Sequence, residues 1–131
     1  VNSAGIGIGG NISTLETKKI DLQLDVNLLG TLVVTREALP FLRASRGNVI
    51  TLASIAGTVP TPGLAVYGAT KAALISFTNS LNREEAEHGV RATAISAVRF
   101  LMSSAGLSSM TSSEARAPVS AIISMHSCAS R

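Results

Sequence analysis

The sequence predicts an α/β fold: part of a doubly wound parallel sheet with long flanking helices. Three observations carry that expectation. The short β-branched run Val49-Ile50-Thr51-Leu52-Ala53 has the make-up of a buried strand. From Tyr67 the pattern turns helical and meets no strong breaker before Gly89. Val90 to Ser96 then alternates as a second strand. Strand, helix and strand in that order make one crossover unit, with its chemistry at the carboxyl ends of the strands. A hydrophobic content of 46% with 15% charged residues suits a much-buried sheet of this kind.

The first twelve residues are rich in glycine. Gly5, Gly7 and Gly10 satisfy G-x-G-x-x-G, with Asp25 further on. A dinucleotide fingerprint needs a strand before it and a helix directly after it. Only four residues precede Gly5, and the helical signal begins well after Gly10, so the match reads as coincidence in a loop. Ser13-Thr14-Leu15-Glu16 has capping-box form and predicts a helical turn from about Thr14. Ile20, Leu24, Leu28, Leu32, Leu39 and Leu42 then mark an apolar stripe on one long helix, bent near its end by Pro40 and closed by Gly47. Asn27 falls among those leucines; by spacing alone it reads as a surface or satisfied core amide.

After the first strand, Thr58 to Val66 carries Pro60, Pro62 and Gly63 and reads as a loop into the Tyr67 helix. Small residues on that helix (Gly68, Ala69, Ala72, Ala73 and Ser76) predict the close approach of another element. His88-Gly89 reads as its stop. From Ser103 the composition drifts to serine and alanine, so 101–131 reads as a serine-rich, poorly ordered segment with one possible short helix over Ala121 to Met125. His126 and Cys128 lie close together, but two possible ligands without a further cluster argue poorly for a metal.

Chemistry enters at three residues. Tyr67 and Lys71 stand four apart and share a helix face. A phenol is a poor proton carrier at neutral pH, and a cation one turn away favours the phenolate. Ser54, at the end of the preceding strand, offers a hydroxyl to polarise a carbonyl or hold an alcohol. The three make an acid/base device for carbonyl–alcohol interconversion that needs an electron carrier from elsewhere. The plain alternative, a packed tyrosine beside a snorkelling lysine, accounts for many such pairs; the serine thirteen positions earlier argues against it here.

Ala53-Ser54-Ile55-Ala56-Gly57, Tyr67-Gly68-Ala69-Thr70-Lys71, Asn2-Ser3-Ala4-Gly5 and Asp25-Val26-Asn27 occur together and in order. In this the chain resembles the short-chain dehydrogenase/reductase family over roughly residues 1 to 96. The resemblance implies a Rossmann-like catalytic portion over 1–100 and NAD(P)-dependent oxidoreduction of a small carbonyl or alcohol. It implies Tyr67 as acid/base, Ser54 orienting the substrate oxygen, and Lys71 binding the nicotinamide ribose while lowering the Tyr67 pKa. Asn27 would distort its helix, expose a carbonyl and hold a water in the proton relay. The cofactor, NAD or NADP, would be met by Asn2, Ala4, Gly5, Tyr67 and Lys71, with Asn2 also steadying the sheet. A homo-oligomer through the two long helices is implied as well. The chain departs from the family after the second strand, where Ala97-Val98 stands in place of a Pro-Gly pair.

Net charge of +3 without a basic cluster speaks against a nucleic-acid partner. No apolar run approaches the ~18 residues that a membrane helix needs, and one cysteine fits a reducing cytoplasm. The chain opens at Val1, and the resemblance places the first strands and the pyrophosphate-binding turn upstream, so a fragment is expected. Two alternatives stay open: a truncated or degenerate relative that acts at most as a helix-mediated dimerisation or binding module, and an independent nucleotide loop at the Gly-rich start.

Overall fold

The computed structural model describes residues 1–97 and the backbone of 124–126. Helix α1 spans Thr17–Leu24, passes through a π-helical turn at Asp25–Leu29, and continues as α2 over Gly30–Ser45. Strand β1, Asn48–Ser54, leads through a 3-10 turn at Ile55–Gly57 into helix α3, Ala65–Glu84. A second 3-10 turn, Ala86–His88, precedes β2, Arg91–Ala97. β1 and β2 pair in parallel from Asn48–Arg91 to Ser54–Ala97, joined by α3 as the alternating pattern predicts.

Asn2 flanks β1 on its other side. Its N–H donates to Ile50 O at 2.7 Å, and its carbonyl accepts from Leu52 N–H at 2.9 Å. A third strand, β3 (Ser124–His126), runs antiparallel to β2. Ser124 and Met125 therefore lie in a strand rather than in the short helix expected there. The outer edge of β2 offers unpaired backbone groups, which a passing segment can satisfy by adding a strand. The rest of the expected serine-rich segment, Cys128 included, lies outside the described residues.

The apolar core sits at the amino ends of the strands. Val49, Leu81, Val90 and Ala92 are buried together, with Leu39, Leu42 and Phe77 packed against them. Arg43, in the last turn of α2, makes a two-pronged ion pair with Glu85, both contacts at 2.7 Å, joining the ends of the two helices. The opposite, carboxyl ends of the strands are left for polar groups.

Three local expectations differ from the structure. The capping box does not form: the helix starts at Thr17 after Glu16, and Thr14 Oγ1 donates to Asn11 O instead. Two exposed lysines, Lys18 and Lys19, hold the Glu16 carboxylate and draw its pKa down, so that side chain is diverted from capping. At the far end, Arg46 takes the left-handed turn (φ 50°), and Gly47 follows it with its N–H on Leu42 O at 2.8 Å. A Cβ on Gly47 would come within 2.8 Å of Leu42 Cδ2, so glycine is kept there by crowding.

The third difference concerns which residues of the long helix are most deeply buried. Gln23, Asn27, Thr31 and Thr35, four apart, are the buried residues of α1 to α2, whereas of the expected apolar stripe Leu24 is exposed and Ile20, Leu28, Leu32, Leu39 and Leu42 are half-buried. A polar row can be buried only if each group finds a partner. These do: Thr31 Oγ1 donates to Asn27 O, Thr35 Oγ1 donates to Thr31 O, and Asn2 Nδ2 donates to Thr35 Oγ1. Short threonines also let the helix approach closely, which leucines would prevent.

Candidate functional site

β1 ends in Ser54, whose hydroxyl accepts from Ala56 N–H at 3.3 Å. That acceptance turns the chain into the 3-10 segment and leaves the hydroxyl proton for another partner. The segment then lies hard against α3. A Cβ at Gly57 would stand 2.8 Å from the Ala72 nitrogen, and one at Gly68 would stand 2.6 Å from Ala56 O. Both positions are therefore confined to glycine by backbone contact. The small residues on α3 do admit another element, and at Gly68 it is the chain's own turn.

With α3 seated there, Tyr67, Thr70, Lys71 and Leu74 form its buried face. Tyr67 and Ser54 line one cleft of about 100 Å³, together with Gly7, Ile55, Ala56, Thr61 and Leu64. Lys71 Nζ lies 5.7 Å from the centre of the Tyr67 ring and donates to Leu52 O at 2.9 Å. The lysine thus spans from helix to strand beside the phenol. Ser54 and Tyr67 thus share the cleft, and Lys71 stands beside the phenol without lining it.

Asn27 joins the same cluster from the π-helical turn, where Gly30 N–H reaches back to Asp25 O. Its amide is fully buried and fully used: Oδ1 accepts from Ile6 N–H at 2.7 Å, and Nδ2 donates to Ile6 O at 2.8 Å and to Thr70 Oγ1 at 3.1 Å. A helix distortion was expected around Asn27, and the π turn spans it. The Asn27 carbonyl accepts from the Thr31 hydroxyl.

The glycine-rich opening crosses the site. A Cβ at Gly5 would approach Lys71 Nζ to 3.2 Å and Asn27 Oδ1 to 3.4 Å, and one at Gly7 would meet the Tyr67 ring at 3.5 Å. Ala4 is exposed and Asn2 sits at the sheet rather than in the cleft. The amides of Ile6, Ile8 and Gly10 are taken by Asn27, Gln23 and Gly63 O, respectively. These three amides are therefore committed within the chain, and Gly7 of this stretch lines the cleft.

Two participants were not singled out from the sequence. Thr70 donates to Tyr67 O at 2.7 Å and receives the Asn27 amide, tying the two candidate residues together. Gln23 holds Ile8. The available signal was the four-residue repeat Gln23, Asn27, Thr31, Thr35, hidden beside a louder leucine pattern. Among the described residues no group of three His, Cys, Asp or Glu could hold a metal ion, and no helix is long and apolar enough to cross a membrane.

Comparison with known proteins matches residues 1–100 to the family described as short chain dehydrogenase. An uncharacterized oxidoreductase of Staphylococcus epidermidis is 46% identical over 97 residues, which cover 73% of this chain and 42% of the relative. Among solved structures, ElxO with NADP bound superposes with a TM-score of 0.71 at 27% identity, covering 74% of this chain and 40% of that one. A 4-hydroxyisoleucine dehydrogenase complexed with NADH and succinate gives 0.70 at 29% identity, covering 74% and 46%. The Rossmann-like α/β fold is common to these. The chain spans about two fifths of the length of the curated relatives it matches.

Proposed function

The chain belongs to the short-chain dehydrogenase/reductase family, and we propose that it carries the proton-transfer end of an NAD(P)-dependent oxidoreductase acting on a small carbonyl or alcohol. The observation that supports this most is the cleft shared by Ser54 and Tyr67, with Lys71 Nζ 5.7 Å from the phenol ring. In reduction, Tyr67 gives its hydroxyl proton to the carbonyl oxygen as the carbon gains hydride; in oxidation it takes that proton back. Ser54, its proton uncommitted, donates to the same oxygen and orients it. Lys71, beside the phenol ring, lies where a ribose hydroxyl would meet it. Asn27, buried and bonded to Ile6 and Thr70, holds the loop and, through Thr70, the turn that carries Tyr67.

The residues present fit the nicotinamide end of NAD or NADP. Gly5, which has room for a hydrogen but crowds a Cβ against Lys71, lets the cofactor approach, and Ala4 lies exposed next to it. A nicotinamide bound there supplies the hydride in reduction and accepts it in oxidation. Among the described residues no Gly-rich turn stands between a strand and a helix to hold the pyrophosphate. Self-association through α2 and α3, in the cytoplasm, is part of the same reading.

The test is Tyr67→Phe in the full protein. Loss of a positioned acid/base lowers turnover by about 10²–10⁴-fold, while NADH or NADPH binding, followed by fluorescence, persists. Turnover that survives the substitution refutes the assignment. A second reading, a helix-mediated dimerisation module without cofactor, draws on the exposed Leu29, Val34 and Phe41 of the long helix. Saturable NADH binding by this chain would dismiss it.

A further inference from the structure

We infer that Gln23 is a positioning residue for this reaction: it pins the backbone at Ile8 and so sets the wall that Gly7 presents to Tyr67. This rests on the reading of the cleft given above. Gln23 is 0% exposed, although nothing in the polarity of its leucine-rich surroundings calls for an amide. Both ends of that amide are committed. Nε2 donates back to Lys19 O at 3.3 Å, which leaves Oε1 to accept from Ile8 N–H at 3.1 Å.

One turn along, Asn27 grips Ile6 through both its N–H and its carbonyl. Two amides on one helix face therefore hold alternate residues of an extended segment, and Gly7 is the residue between them. Gly7 is a lining residue of the cleft, and a Cβ on it would stand 3.5 Å from Tyr67 Cδ2 and 3.6 Å from Cε2. Gly7 is thus the part of the cleft wall that lies against the Tyr67 ring. Asn27 serves the reacting groups as well as the loop. Gln23 reaches the cleft only through Ile8, so its effect falls on how substrate is held rather than on proton transfer.

The experiment compares Gln23→Met, close in shape but with no acceptor, with Gln23→Glu, which keeps an acceptor for Ile8 N–H. Amide hydrogen exchange at Ile8 is read against Ile6, and kcat and KM are measured for the substrate turned over by the full protein. Exchange at Ile8 should quicken about tenfold in the Met variant, the scale of one lost hydrogen bond, with Ile6 unchanged. KM should rise with kcat nearly kept, and Glu should restore both readings. Gly7→Ala, which fits at ordinary contact distance, should narrow the cleft and raise KM more for bulky substrates than for small ones. Unchanged exchange at Ile8, or kcat falling as much as kcat/KM with no recovery in Glu, overturns the proposal. If the unaltered protein turns over no carbonyl or alcohol, the catalytic reading fails, and exchange at Ile8 still decides whether Gln23 holds the loop. Should Gln23→Met not fold, Gln23→Leu, which also lacks the acceptor, carries the same comparison.

Discussion

Thr70 shows how much one hydroxyl can organise. It donates to the Tyr67 carbonyl and accepts from the Asn27 amide, both inside the protein. Thr70→Val keeps the shape and strands the Asn27 N–H, which should cost about 1–3 kcal/mol in urea unfolding and lower kcat. Thr70→Ser should return most of both. Tyr67, Lys71 and Ser54 were legible in the sequence because a helical interval of four and a strand end leave few choices of direction. Thr70 was quoted within the same stretch but given no task, since a threonine in a helix ordinarily bonds its own backbone. Its second bond, to a residue 43 positions away, has no local signature.

Elements obey packing rules that hydrophobicity alone misstates. The strand from Val49 and the helix from Tyr67 were readable, since β-branching and an unbroken helical run point the same way. The long first helix was readable as a helix, and Leu39 and Leu42 of its apolar stripe do pack on the core. The most deeply buried positions, however, are the hydrogen-bonded row Gln23, Asn27, Thr31 and Thr35, which a count of leucines does not show. A local distortion at Asn27 was expected from the Asp25-Val26-Asn27 likeness; that it is a π turn has no signal in periodicity. Where α3 meets the turn after β1, contact is backbone to backbone, so Gly68→Ala should cost about 1–3 kcal/mol by overpacking. Thermal unfolding would show the loss, and turnover should fall with it because Tyr67 is the neighbouring residue.

For the molecule as a whole, the Arg43–Glu85 pair is the ion pair that ties the ends of α2 and α3 together. The Arg43 guanidinium holds the buried Glu85 carboxyl below its usual range. A carboxylate whose pKa is lowered on folding adds stability above the unfolded value and loses it as pH falls through the folded one. Glu85→Gln should therefore lower the melting temperature at neutral pH, and the gap to the unaltered protein should close as pH drops below about 4. The outer helix surface carries a different expectation. Val34 and Phe41, on the same helix, are 59% and 76% exposed. Under the proposed self-association through α2 and α3, Val34→Lys should raise the dissociation constant about tenfold or more in sedimentation velocity, with helix content unchanged, and a protein that is monomeric before the substitution refutes that part of the proposal.

One backbone bond, from Gly10 N–H to Gly63 O at 2.8 Å, ties the glycine-rich side of the cleft to the Thr61–Leu64 side opposite. The mouth is therefore a closed hoop rather than two free lips. A substrate cannot pry one lip outward alone: either that single rung breaks on entry, or the hoop as a whole tilts away from Tyr67.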